Sequence, residues 1–113
     1  MNRIHQKNCR INIDPEIRDI LPMFIASRWQ DVASLQDAMA HEDPSLVCKI
    51  GHQLKGSGSS FGFPMISTIG KRLEQAASAG NWQKISHSID RLINYLEQLE
   101  PVLNNQIETP HMA

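Results

Sequence analysis

The stretch "GHQLKGSGSSFGFP", Gly51 to Pro64, holds four of the six glycines of a 113-residue chain, together with a histidine and a lysine. Two folds compete for it: a glycine-rich loop that wraps a phosphate, or a helix that presents His52 on its surface. A phosphate loop of the GxxxxGK[ST] type needs its lysine after the last glycine, whereas here Lys55 precedes Gly56, and "GSGSSFG" does not fit GxGxxG. A dinucleotide loop also follows a strand, and no segment upstream alternates with period two over strand length. The helix reading stands.

Working outward, helix punctuation divides the chain. Asp14-Pro15 and Asp43-Pro44 each read as an N-cap followed by proline at the first helical position. From Pro15, the apolar residues Ile17, Leu21, Phe24, Ile25, Val32, Leu35 and Met39 recur at helical spacing, interrupted by Pro22. An interior proline loses a hydrogen bond and clashes with the preceding turn. The spacing therefore predicts a short first helix and a longer one from near Pro22 to about His41, closed by the turn "HEDP". Leu46, Val47, Ile50, Leu54 and Phe61 form the next stripe, which breaks at Gly62 and restarts at Pro64. Ile66, Ile69, Leu73, Ala76 and Ala77 follow, stopped by Gly80 as a helix C′ residue, with Asn81 as the next cap. The last stripe, Ile85, Ile89, Leu92, Leu96, Leu99 and Leu103, has heptad-like steps, and Pro101 is expected to end or kink it. The expected fold is all-α: an antiparallel up-down-up-down four-helix bundle with a short extra N-terminal helix. One domain over residues 1–113 is expected, with an ordered core of roughly 13–104 and a frayed tail.

Composition narrows the function. Eleven basic and twelve acidic residues give a net charge of −1 without a basic stripe, so nucleic acid is not an expected partner. Cys9 and Cys48 lack CxxC spacing, and no apolar run approaches the ~20 residues of a membrane span. A cytoplasmic protein with no signal segment is expected.

On a helical wheel with Leu46 at zero, the stripe of the second long segment falls between about 0° and 100° and His52 near about 240°, on the solvent face. Lys55, Gly56 and Ser59 share that side at about 180°, 280° and 220°. Glycine in an exposed helix costs ~1 kcal/mol relative to alanine, so Gly51, Gly56 and Gly58 ask for a reason, and close approach of another molecule supplies one. An ordinary imidazole titrates just below neutrality and can offer a ring-nitrogen lone pair as a nucleophile. Attack on an acyl phosphate would give a phosphoimidazole able to pass the group on. Such a site needs a nucleophile, a cation and clearance: His52, Lys55 and Gly56. It has no ATP motif and no carboxylate cluster for Mg²⁺, so a carrier without its own cofactor is expected, with the metal on the partner.

"HQLKGSGSSFGF" followed by "ISTIGKRLEQAASAG" resembles the histidine-containing phosphotransfer domains of two-component phosphorelays, whose pattern is roughly His-x-Leu-Lys-Gly-Ser-x-x-x-x-Gly with a Leu-Glu downstream. The flanking helical segments extend the resemblance over most of the chain. The resemblance implies that His52 carries the phosphoryl group through Nε2, that Lys55 steadies it, and that Gly56 admits the active site of a response regulator. It implies receiver domains and a hybrid sensor kinase as partners of a free-standing monomer, with Ile17, Ile20 or Leu21 of the first short helix touching the receiver. Gln53 and Ser59, beside the imidazole, complete the expected partner surface. Gly51 stands where the family often has alanine.

Three other readings compete. Cys48 and His52 are spaced i, i+4, but two ligands are too few for a structural zinc site. Ser57, at about 20°, reads as a back-bonded residue at the core edge, and no orienting acid or oxyanion hole makes it a hydrolase nucleophile. A helical adaptor that binds a regulator without phosphate chemistry is the alternative function, and it has no need of a histidine beside a lysine and a glycine. His41 at a helix C-terminus, His87 on the polar face of the last helix, and His5 and His111 near the termini lack that setting.

Overall fold

The computed structural model describes residues 15–108, of which 103–108 only as backbone. A single 3-10 turn, Arg18–Ile20, leads into four helices: α1 (Leu21–Ala40), α2 (Pro44–Phe61), α3 (Pro64–Ser78) and α4 (Trp82–Glu108). There is no strand among the described residues. α1 packs against α2 and α4, and α3 packs against α2 and α4, so the four helices surround one core. Asp14, Cys9, His5, His111 and residues 109–113 lie outside the described residues, whereas residues 104–108, the part of the tail expected to fray, continue the last helix.

The three connections use one device. Each helix ends with the amide of C″ on the carbonyl of C3 and the amide of C′ on that of C2, the Schellman arrangement. After α1 these are Asp43 to Ala38 (2.9 Å) and Glu42 to Met39 (3.1 Å); after α2, Phe63 to Gly58 (2.8 Å) and Gly62 to Ser59 (3.4 Å); after α3, Asn81 to Ala76 (2.9 Å) and Gly80 to Ala77 (3.0 Å). Gly62 and Gly80 take the positive φ the motif demands, and Glu42 does so as the one non-glycine among the described residues, at φ 52°. The C″ residue then starts the next helix. Asp43 Oδ1 accepts from the Leu46 amide at 3.1 Å and Asn81 Oδ1 from the Lys84 amide at 3.0 Å. One residue thus stops one helix and begins another, which keeps every turn short.

The core is built from the predicted stripes, with Leu21, Leu35, Leu54, Ile66, Leu73, Ile85, Leu92, Leu96 and Leu99 essentially without solvent contact. Phe63, read only as part of a break, is the largest fully buried side chain. Its ring stacks on Phe24 at 5.0 Å between centroids, and Phe61 tilts against Phe24 at 5.1 Å. The Trp29 indole N–H donates to Glu100 Oε2 at 2.7 Å and ties α1 to α4.

Two expectations change. The long helix begins near Pro22 as expected, with the proline in the first turn of α1, where a missing amide costs nothing, but the short element before it is a single 3-10 turn and not a helix of several turns. Pro101 does not end the last helix, which runs on to Glu108. Pro101 and Glu97, whose carbonyl loses its partner, are both exposed, so water can take the place of the missing amide.

Candidate functional site

The site begins with two helices that approach unusually closely. A Cβ on Gly51 would lie 2.8 Å from the carbonyl oxygen of Gly70 and 2.9 Å from the amide nitrogen of Glu74. A Cβ on Gly70 would meet the Gly51 oxygen and the Lys55 amide nitrogen at 2.5 Å, and one on Gly58 would collide with the backbone of Ser67. The Ser67 hydroxyl donates to the Lys55 carbonyl at 2.9 Å, a further tie between the two backbones. Small residues at these positions are therefore a steric requirement of the α2–α3 seam.

That seam places the backbone of Glu74 against α2 one residue before His52. The Glu74 carboxylate bridges two α2 side chains: Oε2 accepts from the Nδ1–H of His52 at 2.9 Å and Oε1 from Nζ of Lys55 at 3.0 Å. The Lys55 ammonium, then the His52 imidazole, hold the Glu74 carboxyl below the usual carboxylate range. His52 keeps 70% of its side chain exposed, against 22% for Glu74. With Nδ1–H committed to the carboxylate, the neutral ring carries its lone pair on Nε2.

Around the imidazole, Gln53, Gly56 and Ser59 are exposed and Lys55 is half-exposed. A Cβ on Gly56 would meet nothing within 4 Å, so this glycine alone fits the expected clearing. Gly51 and Gly58 are buried packing contacts and correct the reading that all three glycines make room for a visitor. An alanine at position 51, the residue the family often has there, would press its Cβ against the α3 backbone at this seam.

Leu21 requires a correction too. It is fully buried and has no surface to offer a partner, whereas its neighbours Ile20 and Met23 are 40% and 73% exposed. Ile17 is half-buried in the turn before α1. Ser57 makes a long bond to the Leu54 carbonyl and receives one from Arg28, both at 3.5 Å, as a core-edge residue does. Cys48 packs against the core cluster, and among the described residues no group of three or more metal-ligating side chains comes together.

Glu74 is the residue that sequence reasoning left without a role. Its signal was present: it follows Leu73 of the apolar stripe, in the Leu-Glu of the downstream pattern, on a helix whose Gly70 permits close approach.

The family model for the Hpt domain matches residues 19–101, well over half of the chain and all of this site. The chain belongs to the Hpt domain family. No curated protein and no solved structure gives a significant match. Hpt domains are phosphotransfer carriers of phosphorelays and interact with receiver-type partners. In this Hpt domain no helix among the described residues is long and apolar enough to cross a membrane.

Proposed function

We propose that this Hpt domain relays a phosphoryl group between receiver-domain aspartates through Nε2 of His52. The observation that carries the reading is the bridge of Glu74 between His52 Nδ1 and Lys55 Nζ, beside the open ground at Gly56.

The steps balance as follows. The Nε2 lone pair attacks phosphorus of an aspartyl phosphate on a docked receiver, the P–O bond to the aspartate breaks, and its carboxylate leaves with the electron pair. Nδ1 retains its proton, so the ring becomes a phosphoimidazolium whose positive charge faces the Glu74 carboxylate. Lys55, held within reach by the other carboxylate oxygen, offsets negative charge on the phosphoryl oxygens. Transfer onward reverses these steps on a second aspartate, with Mg²⁺ supplied by the receiver, and the carrier needs no cofactor or ATP site of its own. Gly56 gives the receiver's active site room, and Gln53, Ser59 and Ile17, with exposed Ile20 and Met23 beyond them, are the contact candidates.

The same reading takes residues 1–113 as one domain with its helices running up-down-up-down, and the protein as a cytoplasmic monomer served by a hybrid sensor kinase. The test is incubation of the protein and its His52→Gln variant with a phosphorylated receiver domain. Acid-labile, alkali-stable label confined to the unmodified protein supports the relay. Absence of label across several receivers, with the domain folded, would leave the adaptor reading in its place.

A further inference from the structure

A cavity of about 430 Å³ lies between the C-terminal half of α3 and the first turns of α4, lined by Arg72, Gln75, Ala76, Lys84, His87 and Ser88 among others. Arg72 and Glu74 are two residues apart on α3, about 200° around the helix, so the cavity opens on the side of α3 away from His52. No carboxylate lines it. Arg72, Lys84 and His87 form no ion pair with any described residue, in contrast to Lys55 on the other side.

Ser88 is the deciding residue. It is 4% exposed and the only buried polar residue among those described, yet its hydroxyl has no hydrogen-bond partner among them. A buried hydroxyl without a partner is destabilising, and this one lines a cavity bordered by a guanidinium and an ammonium. Asn81, which also lines the cavity, turns its side-chain oxygen to the Lys84 amide, which leaves its NH₂ as a donor. The wall therefore offers donors from several directions and positive charge at the start of a long helix, whose dipole adds to it.

We propose that this cavity binds a small phosphate-bearing anion, with Arg72 and Lys84 on its oxygens and the Ser88 hydroxyl donating from the cavity floor. A tetrahedral dianion has oxygens for all of these donors, where a planar carboxylate presents only two. The site is independent of His52 and of the phosphorelay chemistry.

The test follows backbone amide shifts during titration with inorganic phosphate and, separately, with methyl phosphate, against potassium chloride at matched ionic strength. Saturable shifts around Arg72 and residues 81–88 are expected, with affinity falling about tenfold or more in Arg72→Gln/Lys84→Gln, as loss of charge-assisted hydrogen bonds implies. Tighter binding of methyl phosphate identifies a phosphorylated small molecule as the ligand, and tighter binding of inorganic phosphate the free ion. Ser88→Ala should weaken binding while leaving the thermal midpoint of the free protein unchanged or higher, because it removes an unpaired hydroxyl. Shifts reproduced by chloride, or untouched by the double substitution, would overturn the proposal. So would a Ser88→Ala protein that loses stability without ligand, since its hydroxyl would then have an internal partner.

Discussion

Gly51 on α2 and Gly70 on α3 meet backbone to backbone, so closely that a methyl group on either would strike the other's carbonyl oxygen. This contact brings the Glu74 backbone beside His52 and lets a carboxylate from one helix hold an imidazole on the next. The geometry of the candidate phosphoacceptor thus depends on two residues that have no side chain.

Substitutions at the glycines should separate packing from clearance. Gly51→Ala and Gly70→Ala are each expected to lose about 1–3 kcal/mol by overpacking, because the obstructing atoms are backbone. Gly56→Ala should be neutral or gain up to about 1 kcal/mol from helix propensity. Denaturant unfolding of the three proteins measures this. Gly56→Leu should stay folded and lose transfer from a phosphorylated receiver, and unchanged transfer rates would refute its role as clearance.

Lys55→Ala should slow phosphoryl transfer by one or more orders of magnitude, on the scale of a lost charge-stabilising group, while His52 remains labelled at long times. Single-turnover transfer from a phosphoreceiver distinguishes this from His52→Gln, which should never label.

Glu74 predicts an acid-side effect on stability. Its carboxyl titrates lower in the folded protein than in the unfolded chain, because Lys55 and His52 favour the charged form. The resulting stabilisation is present above the unfolded value and disappears as pH falls through the folded one. Glu74→Gln should therefore flatten the acid limb of the stability profile, and ¹⁵N shifts of the His52 ring should show a smaller preference for the Nδ1–H tautomer. An acid limb identical to that of the unmodified protein would count against the bridge.

Leu21 and Met23 should behave oppositely despite being two residues apart. Leu21→Ala opens a cavity in the core and should cost about 2–5 kcal/mol, whereas Met23→Ser, on an exposed side chain, should change stability by less than about 0.5 kcal/mol. If the face next to the 3-10 turn touches a receiver, Met23→Ser weakens that complex, which calorimetric titration would read.

Much of the architecture could be read locally. Asp43, Pro44, Pro64, Gly80 and Asn81 mark helix ends through chemistry that involves only a turn of chain, and the apolar stripes identify core faces by periodicity alone. For the same reason the solvent-facing position of His52, with Lys55 and Gly56 beside it, followed from rotation about one helix axis. What tertiary structure decided were the relations between helices. Gly51 and Gly58 look like Gly56 along the chain, and only the backbone of α3 against them makes two of the three a packing requirement. Leu21 and Ile20 are equally apolar, and only the neighbouring helices determine which is buried. Glu74 lies 22 residues from His52, and its role arises from how closely two helices approach, a distance that no single helix encodes.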